Sequence, residues 1–227
     1  NYGITGRTSG SGITYGGLAG GSDLWLQGNH SPGLVTHELG HNYGLGHSSF
    51  WVPPGVSTNP VDPGGTNEEY GDIYDIMGDG EVPDGHFNAQ GKAHINWITT
   101  SEWTDVNAAG SGLFRVHRID DPTAMGLRGL RVTKGADEYY WIAHRRAYVN
   151  ESLDYGAYLQ WERPSFNRAW LLDLTPESQP GANDKQDAGL LIGSTYSDTT
   201  AGVHVTPVAR GGTAPNEWMD VQVNLGS

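Results

Sequence analysis

Apolar and polar positions alternate along much of the second half of the chain. Leu113–Ile119, Gly129–Val132, Tyr139–Ala143, Ala157–Trp161, Trp170–Leu174, Val203–Thr206 and Met219–Val223 each read as short strands separated by turn residues. Several such segments predict a β-sandwich or a related all-β module. The first hundred residues read differently. Residues 1–22 are rich in Gly, Ser and Thr, and Leu24, Trp25 and Leu26 read as a short strand. Ser31-Pro32 carries a helix start, with Ser31 as N-cap and Pro32 at the first helical position. That helix is predicted to run to about Tyr43, with Gly44 as its left-handed stop. Residues 48–72 hold four prolines and several glycines and read as a long irregular loop. A second helix is predicted near Asn88–Trp97, capped by Asn88, and a boundary falls near residue 100.

Composition narrows the function classes. Among 227 residues, 26 Asp and Glu stand against 13 Lys and Arg, for a formal charge of −13. Nucleic acid and anionic membrane would repel such a chain. There is no Cys, so disulfides and thiolate zinc sites are excluded and a metal must be held by His and carboxylates. No apolar run reaches the roughly 18 residues of a membrane-spanning helix. With 34 Gly and 12 Pro, turns are predicted to be frequent and long helices few.

The informative stretch is His37-Glu-Leu-Gly-His-Asn-Tyr-Gly-Leu-Gly-His47. His37 and His41 are i and i+4 on the predicted helix, so both imidazoles share one face and can reach one zinc ion. Gly44 lets the chain turn back so that His47 becomes a third ligand. Three His ligands leave one position open, the catalytic rather than the structural pattern. Glu38 stands beside the metal rather than on it, where it can accept a proton from water. Thirty residues after His47 comes Met77, within Asp75-Ile-Met-Gly78.

This three-His motif and the later Met resemble the metzincin metallopeptidases. Within that clan the chain looks most like the gametolysin family and its bacterial relatives. The resemblance adds Glu69–Gly78, His86–Ala89, Lys92 and Trp97, and later Tyr139–Ile142, Leu171–Pro176 and Asp187–Leu191. It implies an α+β protein: a small metzincin-like zinc peptidase core over residues 1–100, followed by an all-β sandwich-like module over 101–227. It also implies a secreted zinc endopeptidase acting on extracellular or cell-wall proteins and glycoproteins, with Glu38 as general base. Only 36 residues precede His37. Metzincins carry a larger half there, so either the core is unusually small, or an upstream piece is a separate N-terminal fragment or a removed propeptide.

Weaker signals surround the motif. Glu68, Glu69, Asp72, Asp75, Asp79, Glu81 and Asp84 crowd one loop. Calcium is one way to neutralise them, with Glu69, Asp72 and Asp79 as ligands; a solvated acidic loop is the other. Asp75 is expected to fix the Met turn or to support a zinc ligand from behind. His86 is either a loop His or a group that enters the cleft to polarise a carbonyl. The strand around Leu24–Gln27 is expected to pair with an extended substrate. Two other functions stay open: a glycan- or protein-binding module with a structural or inactive zinc, and a peptidase restricted to heavily glycosylated proteins.

Overall fold

The computed structural model describes residues 16–26, 28, 30–55, 57–80, 84–146, 153, 155–163, 168–176, 178 and 181–226. Strands outweigh helices, at 39% against 14% of residues, so the fold is β-rich. A hairpin of β1 (Gly17–Gly20) and β2 (Asp23–Leu26) leads into helix α1 (Pro32–Asn42). Strands β3 (Ser49–Val52) and β4 (Thr66–Glu68) flank a loop, and helix α2 (Ala89–His94) follows. Next come β5 (Trp103–Asp105), α3 (Val106–Ala109) and β6 (Gly112–His117). The remaining strands are β7 (Gly129–Gly135), β8 (Glu138–Ala143), β9 (Gly156–Arg163), β10 (Arg168–Leu171), β11 (Leu190–Leu191), β12 (Tyr196–Asp198), β13 (Val203–Gly211) and β14 (Trp218–Leu225).

The large sheet has the order β4-β3-β10-β9-β8-β7-β5, with β11 on β9. The small sheet has the order β12-β13-β14-β6. Their inner faces share one core. Leu130, Val132, Tyr140, Ile142, Leu159 and Trp161 from the large sheet meet Val116, Val205, Met219, Val221 and Val223 from the small one. This is the period-two pattern at work, because alternate side chains of each strand must face the same way. Trp161 and Trp170 lie in this core with Trp51, so these aromatics fill the sandwich.

The outer face of the large sheet is also covered. Tyr158 and Leu171 pack against Phe50 and Tyr74, and Trp141 and Ala143 pack against Ala89 and Ile98. The large sheet is thus a middle layer, with the small sheet on one side and the segment bearing α2 and Met77 on the other. β3 pairs in parallel with β10 through Trp170 and Leu171 opposite Ser49 and Phe50. Strands from before residue 100 therefore lie in the same sheet as strands from after it. Within the predicted loop 48–72, two short strands stand out, β3 and β4: Ser49, Phe50 and Trp51 are buried, and a strand covered on both faces shows no alternation. Among the described residues no helix is long and apolar enough to cross a membrane.

Candidate metal centre

Helix α1 forms where the local signals place it. Ser31 accepts from Leu34 N at 3.3 Å, Pro32 fills the first helical position, and Gly44 takes φ +91° just past the end. One helical turn separates His37 from His41, and the turn at Gly44 returns His47 to them. Their ring centroids lie 4.8 Å (His37–His41), 4.8 Å (His41–His47) and 5.4 Å (His37–His47) apart. One ligand atom from each of the three lies within 4.8 Å of the others, and among the described residues this is the one such group of three.

Each imidazole is held through Nδ1. His37 Nδ1 lies 2.7 Å from the Ile76 carbonyl, and His41 Nδ1 lies 2.8 Å from the Leu45 carbonyl. His47 Nδ1 meets the Glu69 carboxylate, which Arg168 also approaches. Oxygens of this kind only accept, so Nδ1 carries the hydrogen in all three rings and Nε2 presents a lone pair. The Nε2 atoms of His41 and His47 then face each other at 3.1 Å with no hydrogen between them. Two ligands about 2.05 Å from one ion at a tetrahedral angle stand roughly 3.3 Å apart, so this spacing fits a zinc site. Burial holds the pKa of His37 down to about 4, and it also lowers that of His47 against the pull of Glu69. His37 is therefore neutral, the form that binds metal.

Glu38 is 6% exposed and rests against β1. It accepts from the Ala19 backbone N–H, and a Cβ on Gly17 would stand 2.5 Å from its Oε1. Gly at position 17 is thus what lets the strand lie on the carboxylate. Burial raises the pKa of Glu38, which strengthens it as a base. Glu38 and His37 open into a cleft of about 650 Å³ lined also by Gly16, Gly17, Tyr70 and Asp79. The expected substrate-pairing strand, Leu24–Leu26, is not the one at this wall. Gly17 of β1 and Gly16 just before it are, because β2 lies on the far side of the hairpin; Gln27 is outside the described residues.

Met77 is buried beneath the helix. A Cβ on Gly40 would come within 2.3 Å of its Sδ, so the missing side chain between the two His of α1 makes room for the sulfur. Asp75 sets the turn: Oδ1 accepts from Met77 N and Oδ2 from Asn88 N, both at 2.7 Å, and its carbonyl accepts from Gly78 N and Gly80 N. It thereby aims the Ile76 carbonyl at His37 and supports that ligand through the backbone rather than by touching it. Burial, then the neighbouring Asp72, pushes its pKa up to about 7.

Other expected site residues go elsewhere. His86 does not enter the cleft: its Nδ1 lies 3.0 Å from Lys92 Nζ, and its carbonyl accepts from Arg145. The three calcium candidates do not converge. Asp72 is fully buried and accepts from Ser48, Tyr74 N, Tyr158 and Gln160; Glu69 serves His47; Asp79 is exposed at the cleft. Glu81 is outside the described residues.

Two residues stand beside the imidazoles in positions that sequence reasoning did not assign to them. Glu69 orients His47 from 22 residues away. Tyr70, 44% exposed, places its ring 4.0 Å from that of His47 and 5.8 Å from that of His37. Its backbone takes φ +62°, an uncommon conformation for a non-glycine residue that nothing in the local sequence announces. No protein-family model matches the chain, and neither do the curated proteins or the solved structures.

Proposed function

We propose that the chain is a secreted zinc-dependent endopeptidase of the metzincin type, acting on polypeptide or glycoprotein substrates. One observation carries the reading: three imidazoles held by Nδ1 turn their Nε2 lone pairs to a common point, and a buried carboxylate stands next to them in an open cleft. His37, His41 and His47 would hold the zinc. When bound, zinc supplies Lewis acidity, which polarises a scissile carbonyl and lowers the pKa of a water.

The chain's own groups do the rest. Glu38 takes the proton of the attacking water on its carboxylate and returns it to the leaving nitrogen. Tyr70, at the mouth of the same cleft, offers its phenol to the oxyanion that develops on the carbonyl. The edge of β1 at Gly17, with Gly16 just before it, accepts an extended substrate by strand addition and sets the peptide against Glu38. Asp75 and Met77 keep the turn behind His37 rigid, so the imidazole does not have to be oriented at the moment of binding.

Glu38→Ala tests this reading. The variant is expected to hold as much zinc as the wild type, measured by metal analysis of the purified protein. Its rate of casein cleavage is expected to fall by roughly a hundredfold or more, since the general base is gone. Cleavage near the wild-type rate in a zinc-loaded variant contradicts the mechanism.

A further inference from the structure

One wall of the cleft is set by two glycines just past Met77. A Cβ on Gly78 would stand 2.1 Å from the Asp72 carbonyl oxygen, and one on Gly80 would stand 2.7 Å from that of Asp75. The backbone between them is tied at three points. Gly78 N and Gly80 N both donate to the Asp75 carbonyl at 2.9 Å, and Asp79 N donates to that of Asp72 at 3.0 Å. Asp79 is therefore carried on a fixed backbone, and it lines the cleft as an exposed residue. Among the described residues its carboxylate has no hydrogen-bond or ion-pair partner.

The rest of the pocket frames that one charge. Leu34 and Ile76 give it apolar sides, Gly33 and Gly78 bring no side chain to narrow it, and no described Lys or Arg lines it. The opposite wall is the first turn of α1, whose positive end would favour an anion. Its donors are largely engaged. Pro32 has none, Leu34 N is taken by Ser31 Oγ, and Val35 N is taken by the Ser31 carbonyl. The unanswered charge in the pocket is thus negative. An apolar passage that ends at a carboxylate matches a long side chain with an aliphatic stem and a cationic head. We propose that Asp79 selects substrates that place a Lys or Arg side chain in this pocket, within two residues of the cleaved bond. His37 and Glu38 line the same cleft, so a side chain seated there belongs to a residue close to the bond on which they act. The formal charge of −13 favours the approach of cationic chains. This inference rests on the peptidase reading, and Asp79 acts on binding rather than on the reacting atoms.

Two experiments on the zinc-loaded full chain test it, one by cleavage and one by binding alone. In the first, the chain digests a random-sequence peptide mixture and mass spectrometry reads the cut sites. Lys and Arg should be enriched about tenfold over Leu at one position within two residues of the cut. In Asp79→Asn the enrichment should vanish, and in Asp79→Lys it should pass to Asp and Glu, with zinc content and unfolding midpoint as in the wild type. High salt should shrink it in the wild type, because screening weakens an ion pair at an open cleft. In the second, Glu38→Ala is titrated by calorimetry with Ala-rich peptides whose central residue is Lys or Leu. The Lys peptide should bind about tenfold more tightly, and adding Asp79→Asn should erase the difference. Cleavage without a basic preference, or with one that Asp79→Asn leaves intact, overturns the inference and leaves the peptidase standing. No cleavage, with the Lys peptide still bound through Asp79, overturns the peptidase reading alone. No cleavage and equal binding of the two peptides overturns both.

Discussion

At the scale of single residues, the proposed centre divides into groups that would touch a metal or substrate and groups that hold them. Glu69 is of the second kind. It fixes the ring of His47 and its tautomer, so Glu69→Ala is expected to weaken zinc binding by about 10–100-fold, measured by competition with a chelator of known affinity. An unchanged affinity would mean that the His47–Glu69 contact is incidental. Tyr70→Phe keeps the ring on His47 and removes only the hydroxyl. It should lower kcat by about a hundredfold with little change in KM, the mark of a donor that acts on the oxyanion. The convergence of His37 and His41 was legible in the sequence, because helix geometry ties an i, i+4 pair to one face, and the turn at Gly44 brought in His47; Met77 was singled out by the resemblance and not by spacing. Glu69 and Tyr70 were not. They reach the site through a loop whose path depends on β3 and β4, and a carboxylate in an acidic loop looks the same whether it binds calcium or an imidazole.

At the scale of elements, the contact between α1 and the Met turn governs the geometry. Gly40→Ala would place a methyl 2.3 Å from Met77 Sδ. Overpacking of this kind costs about 1–3 kcal/mol, read from urea unfolding, and it should weaken zinc binding as well, because Ile76 and His37 shift together. Asp75 gives the turn a pH dependence. Its pKa in the folded chain lies near 7, above the ordinary value of 3.8, so between those two pH values the folded state binds more protons than the unfolded one. Its contribution to stability is therefore full below about pH 4 and declines as pH rises toward 7. The stability difference between the wild type and Asp75→Asn should narrow over that range; a difference independent of pH would contradict the assignment. The caps of α1 and α2 and most strands of the second half could be read from the sequence, since capping residues and period-two alternation are local signals. β3 could not: Ser49–Val52 is buried on both faces and runs straight into Pro53 and Pro54, so it shows neither alternation nor a clean turn.

At the scale of the whole molecule, the segment that carries the centre is bound to the sheet behind it. Arg145, fully buried at the end of β8, donates to the carbonyls of Tyr74 and His86 and lies among Asp72 and Asp75. Tyr158 and Gln160 of β9 donate to Asp72, and β3 is zipped to β10. A fragment of residues 1–100 lacks all of these partners and should show neither a cooperative unfolding transition nor zinc affinity like that of the full chain. Arg145→Met should destabilise the full chain by about 3 kcal/mol, because it leaves the buried carbonyls of Tyr74 and His86 without their donor. None of these contacts follows from residue spacing, since they join positions 59 to 121 apart in the chain. The central claim is that the three histidines hold a catalytic zinc. The most direct measurement is casein and gelatin digestion by the full chain, first as purified, then stripped with a zinc chelator, then restored with zinc. The account predicts cleavage that stops on stripping and returns with about one zinc per chain. Cleavage that survives complete removal of zinc, or none with one zinc bound per chain, would contradict it.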